Sequence, residues 1–140
     1  MNRNLVGILI AVAASLLISV PNTYAQTVTM ATVPFAFTVG QSEMPAGTYT
    51  ITPVSDSAIV IRDSNTAKGV VSLVRSELAN RGDVTPKLVF NRYGGKYFLS
   101  QVSPGFGHGV MQLPASKLEK ELRIASTHGI TPQKAVVAAK

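Results

Sequence analysis

The stretch from Leu88 to Val102 reads LVFNRYGGKYFLSQV, two runs of aromatic and branched residues hinged on a glycine pair. Such runs favour extended backbone, and Gly94-Gly95 is a two-residue connection suited to the positive φ angles of a type I′ turn. The turn sets a register in which Tyr93 faces Lys96, Arg92 faces Tyr97, Asn91 faces Phe98 and Phe90 faces Leu99. Facing residues share one side of a sheet. Leu88, Phe90 and Leu99 therefore fall on one side, which packs inward, and Val89, Asn91, Tyr93, Lys96, Phe98 and Ser100 on the other. That second side mixes rings, an amide and a cation. It is either a face that binds or a second buried face beneath another element.

Upstream, Val33, Phe35, Phe37 and Val39 recur at a spacing of two within Val28 to Val39, so all four point to one face of a strand. Gly40 to Met44 reads as a loop. Pro45-Ala46-Gly47 turns the chain through a fixed proline φ and a glycine tolerant of positive φ, and Thr48 to Thr52 resumes an alternating strand with Tyr49 and Ile51 on one side. Ala58 to Arg62 and Ala67 to Ser76 read as a hairpin around Asp63-Ser64-Asn65. Downstream the period changes. Ser116 with Glu119 three residues on is a capping box, so a short helix is expected over Lys117 to Ala125. Leu118, Leu122 and Ala125 lie on one face of it, and Lys117 with Glu121 and Glu119 with Arg123 form pairs on its exposed sides. Ser126 to Lys140 is small, polar and weakly patterned, and is expected to be poorly ordered, although KAVVAAK can add an edge strand.

These elements predict a single all-β domain over residues 26–125, a small antiparallel sandwich or partly open barrel of about six or seven strands with one short C-terminal helix. Ahead of it, Met1 to Ala25 has the layout of a signal peptide: Arg3, an apolar run from Leu5 to Val20, Pro21, and Thr23-Tyr24-Ala25 as the cleavage signature. An uncleaved anchor is the competing reading of the same run. Cleavage after Ala25 directs the chain to the periplasm or the medium, with no membrane span remaining. The absence of cysteine rules out a thioether-linked lipid anchor and any disulfide.

The full chain carries 13 Lys and Arg against 7 Asp and Glu. Its cations are scattered, not gathered in the dense tracts of nucleic-acid binders, so an acidic polymer or glycan of the envelope or extracellular space is the expected partner and nucleic acid is not. Candidate chemistry is sparse. His108 and His128 are the only histidines, too few and too far apart in sequence to imply a metal site, and no cofactor is implied. Neither a G-x-S-x-G elbow nor a triad order is present. Ser103 to Val110, SPGFGHGV, lacks the G-K-[ST] ending and the following helix of a phosphate loop and reads as a connecting loop, with Phe106 either a core plug or a contact.

The elements VPFAFTVG, PAGTY, LVFNRYGGKYFLSQV and LPASKLEKEL, in this order behind a signal peptide, resemble a group of small exported bacterial proteins frequent in soil acidobacteria, over about Val33 to Leu122. The resemblance implies export and no activity, cofactor or residue role. The Pro45-x-Gly47-x-Tyr49 turn is also similar to one in envelope β-sandwich modules, where the tyrosine enters the core beside a strand end. The expected function is accordingly a non-catalytic binding or structural module, with Asn91, Tyr93, Lys96 and Phe106 as its candidate binding residues. The alternative is a small hydrolase using His108.

Overall fold

Pro34 divides the first apolar run between two sheets. The computed structural model describes residues 28–78, 85–105, 109–126 and 131–140; the segment expected to be a signal peptide, Phe106, His108 and His128 lie outside the described residues. Strand β1 (Thr29–Val33) stops at the proline, which has no N–H to give a ladder, and β2 (Phe37–Val39) resumes in the opposite sheet. The single strand expected over Val28 to Val39 is thus two. The spacing of two still holds its meaning, because Val33, Phe37 and Val39 are all buried and Phe35 packs against the same core.

Gly40, at φ 59°, closes a tight hairpin from β2 to β3 (Ser42–Met44), where a loop was expected. The chain then returns as β4 (Gly47–Ser55), which pairs with β1 on one side and with β5 (Ala58–Asp63) on the other. Gly47 pairs with Val33 without a positive φ, so the turn before it rests on Pro45, not on glycine's freedom. Strand β6 (Gly69–Leu73) completes the expected hairpin with β5, and the first sheet runs β1-β4-β5-β6. After Val74, whose N–H is bonded to the Ser57 carbonyl, the chain enters the second sheet as β7 (Arg75–Glu77).

The second sheet is centred on the hairpin of β8 (Lys87–Tyr93) and β9 (Lys96–Ser103), whose facing pairs Tyr93–Lys96, Arg92–Tyr97, Asn91–Phe98 and Phe90–Leu99 are those the glycine turn implies. Positive φ is confined to Gly94, at 60°, which fits a type II′ connection and not the type I′ expected. The far edge of β9 is shared between β10 (Val110–Gln112) at one end and a parallel contact of Thr38 with Phe98 at the other. A Cβ on Gly109, just ahead of β10, would collide with the Glu77 carbonyl, so that glycine serves a close approach to β7.

On the other flank of β8 lies β11 (Gln133–Ala138), antiparallel over Arg92 to Lys87. Of the two readings of the tail, the structure shows the edge strand formed by KAVVAAK and not a poorly ordered segment over these residues. Ala135, Val137 and Ala139 alternate inward against the core, and that burial, with a full ladder to β8, orders a segment whose own propensity is weak. The strand does not end as a free edge: Met30 and Lys140 exchange two backbone hydrogen bonds of 2.9 Å, and Ala31 bridges Ala139. The two sheets are joined at that corner and by the chain where it crosses at Pro34, at Pro45 and at Val74, without closing into a barrel. The architecture is the all-β sandwich with one C-terminal helix, built from more and shorter strands than expected. Its core gathers Val33, Phe37, Tyr49, Ile51, Ile59, Ile61, Leu88, Phe90, Leu99 and Val102 between the sheets. Phe37 meets both Tyr49 and Phe90 edge-on at 5.1 and 5.2 Å, while Phe35 stacks on Tyr97 at 3.9 Å.

Candidate binding surface

Helix α1 (Lys117–Ala125) begins as its sequence dictates, with the Ser116 hydroxyl accepting from the Glu119 backbone N–H at 3.1 Å. The other half of the capping box is redirected. The Glu119 carboxylate accepts from the Asn91 side-chain amide of β8 at 2.8 Å. Glu119 is 5% exposed and Leu118 40%, so the helix is turned relative to the amphipathic reading, which put Leu118 inward and Glu119 outside. The reason is the partner: a buried carboxylate is tolerable where a donor meets it, and Asn91 stands on the facing strand.

Beneath the helix, Val89, Tyr93 and Phe98 are 6, 7 and 1% exposed, and the rings of Tyr93 and Phe98 meet edge-on at 5.9 Å. The second side of the hairpin is therefore a second buried layer. Of the residues expected to bind there, Tyr93 is corrected to a packing residue, because the helix crosses β8 over it. Its hydroxyl pKa is raised by burial and by the charge of Glu119, with Arg123 acting the other way. Asn91 is half-buried and committed to Glu119. Lys96 is exposed beside the hairpin turn, lining a small hollow with Glu43 and Leu118. The structure does not bring the three together as one accessible cluster, and Phe106 lies outside the described residues.

What composition alone did not show is where the charge sits. Lys117, Lys120 and Arg123 on α1 are exposed, Lys134 on β11 shares a sheet face with Asn91, and Lys87 shares one with Ala138. Against these five cations stands one exposed acid, Glu121, since Glu119 is buried and bonded. Ile124, 71% exposed, and Val136, 62% exposed, lie among them. The outer face of the first sheet is different: Thr48, Thr50, Thr52, Val54, Val60, Val71 and Leu73 with Arg62 as its charge. The three cations of α1 can be counted along the helix; that Lys87 and Lys134 join them follows only from the pairing of β11 with β8.

A cleft of about 520 Å³ opens between β3 and β6, lined by Met44, Pro45, Tyr49, Asp63, Lys68 and Val70. Its chemistry is already used by the fold. The Tyr49 hydroxyl donates to the Pro45 carbonyl at 2.5 Å, which is how the Pro-x-Gly-x-Tyr turn is latched. Burial, then the nearby Asp63 charge, raises the Tyr49 pKa. Asp63 accepts from the Asn65 backbone N–H at 2.7 Å, and this bond is the main reason its carboxyl titrates below the ordinary range. Within Val33 to Ile51, Val33, Phe37, Val39, Met44, Tyr49 and Ile51 are core, and Pro45 with Tyr49 latches the turn.

Among the described residues no group of three or more His, Cys, Asp and Glu is placed to hold a metal ion, and no helix is long and apolar enough to cross a membrane. Comparison with family models, with curated proteins and with solved structures finds no match.

Proposed function

We propose that this chain is an exported, non-catalytic module that binds an acidic polymer or glycan of the cell envelope or extracellular space through the side covered by α1. The observation behind the reading is the segregation of charge: five cations on α1, β8 and β11 with a single exposed acid among them. Lysine and arginine heads on long stems attract polyanions without a shaped pocket, and the exposed Ile124 and Val136 add apolar contact for sugar or acyl surfaces. Lys96 extends the patch toward the hairpin turn. Export is the contribution of the first 25 residues, whose layout is that of a cleaved signal.

Such contacts weaken with salt, because exposed charges are screened beyond about 8 Å at physiological ionic strength. The purified protein is expected to be retained on a polygalacturonate resin and not on neutral dextran, and to elute on a salt gradient. The triple substitution Lys117→Gln, Lys120→Gln, Arg123→Gln moves elution to markedly lower salt, whereas Arg62→Gln with Lys68→Gln leaves it in place. Equal elution of both variants with the parent removes the helix side as the binding surface.

A further inference from the structure

The first sheet ends on β6, Gly69-Val70-Val71-Ser72-Leu73, and the manner of its ending is unusual for a chain that works alone. Exposed edges present unpaired N–H and C=O groups, and monomeric proteins blunt them with charge, proline, bulges or brevity. The other margins are blunted in these ways. Strand β7 is three residues with Arg75 and Glu77, β3 is three residues with Glu43, and β1 and β11 are latched together at Met30 and Lys140. Strand β6 is five residues with neither charge nor proline, and among the described residues only β5 pairs with it.

The phase of its free groups follows from its ladder. Asp63 donates to the Lys68 carbonyl and Val74 donates to the Ser57 carbonyl, so the alternate residues Val70 and Ser72 turn their backbone groups toward β5. Gly69, Val71 and Leu73 turn theirs away. The Leu73 carbonyl accepts from the Ser72 hydroxyl at 3.2 Å and retains a second lone pair. Clefts border the strand at both ends, one against β3 and one against Gln112 and Pro114, and among the described residues none pairs with its outer flank.

We propose that a second copy of this chain occupies that edge, β6 against β6 in antiparallel pairing about a two-fold axis through Val71. In this register Val71 faces Val71 of the other copy and Gly69 faces Leu73, so every outward backbone group meets a partner. The side chains are complementary as well. Val71 is 67% exposed and Leu73 70%, and the leucine of each copy lies over the position where the glycine of the other has no side chain. The outer rows then read Val60-Val71-Val71-Val60 across the seam, a continuous apolar stripe with no charge from β6 itself. Electrostatics favour this face over others: the outer face of the first sheet carries Arg62 as its charge, whereas meeting through the α1 side would set cations against cations.

The test uses the fact that the chain contains no cysteine. Sedimentation of the purified protein across micromolar concentrations is expected to show a monomer–dimer equilibrium. Val71→Cys under mild oxidation gives a covalent dimer, while Val54→Cys, 54% exposed on the same sheet but off the seam, gives none. Val71→Lys, which sets two ammonium groups face to face, sediments as a monomer with its circular dichroism unchanged. A parent that stays monomeric at every concentration overturns the proposal. So does a dimer that survives Val71→Lys, or a parent monomer that instead takes up a foreign extended peptide along β6.

Discussion

The two outer faces of the sandwich start from the same alternation and end differently. Over β8 and β9 the outward residues are Val89, Tyr93 and Phe98, and a helix lies on them; over β4, β5 and β6 they are threonines, Val60, Val71 and Leu73, and among the described residues nothing does. Antiparallel sheets can keep one face in water when its side chains are small or carry a hydroxyl. Large aromatic rings make that costly. The difference teaches that outward-facing rings in a strand mark the site of the next layer, not a ligand, when a short amphipathic element remains downstream to supply it.

The sharpest break of this comparison is Phe98→Ala, which removes a ring 1% exposed beneath α1 and is expected to cost about 3 kcal/mol or more. The matching cut on the bare face, Val54→Ala, is expected to stay within about 0.5 kcal/mol. Denaturant unfolding of the two variants measures both, and comparable losses mean that the first sheet is covered after all. An intermediate effect belongs to the contact that orients the helix. Glu119→Ala leaves the Asn91 amide without its acceptor and should cost about 1–2 kcal/mol. The double variant with Asn91→Ala recovers part of that loss, a coupling readable from a four-protein cycle. Strict additivity shows the helix to be held by its apolar contacts alone.

The smallest effect distinguishes the two glycines of the turn. Gly94→Ala places a side chain at φ 60° and is expected to cost about 1 kcal/mol. Gly95→Ala, with open space around it and no positive φ, costs a few tenths or nothing. Melting temperatures that fall equally restore the type I′ turn.

Legibility followed sequence distance. The β8–β9 register could be written residue by residue because Gly94-Gly95 fixes it locally, and Ser116 announced the helix start for the same reason. Which of Asn91, Tyr93 and Lys96 stay accessible could not be read locally, because it depends on α1, which folds back over β8 from a later part of the chain. The rotation of that helix was hidden too. Hydrophobic periodicity favoured Leu118 inward, and only the position of Asn91 on the sheet makes Glu119 the better buried residue. Strand β11 is the extreme case: KAVVAAK allows an edge strand, but weakly alternating as it is, the segment is fixed only by a ladder to β8 residues far earlier in the chain. Pro34, by contrast, was visible as a break and was read through, because the inward spacing on both sides of it stayed intact.

The paired hydrogen bonds of Met30 and Lys140 also bear on when the molecule can finish folding. They fasten β1, near the first of the described residues, to Lys140 just past β11, a contact across nearly the whole described chain. Contacts of such long sequence separation form slowly, since the whole intervening chain must be gathered before they are rewarded. A ribosome delivers residues in order, and until Gln133 to Lys140 emerge, β8 is paired with β9 alone and β1 with β4 alone. The sandwich is therefore built like a bag with a drawstring: its first and second sheets stay loosely held until β11 is laid against β8, and that last pairing draws them tight.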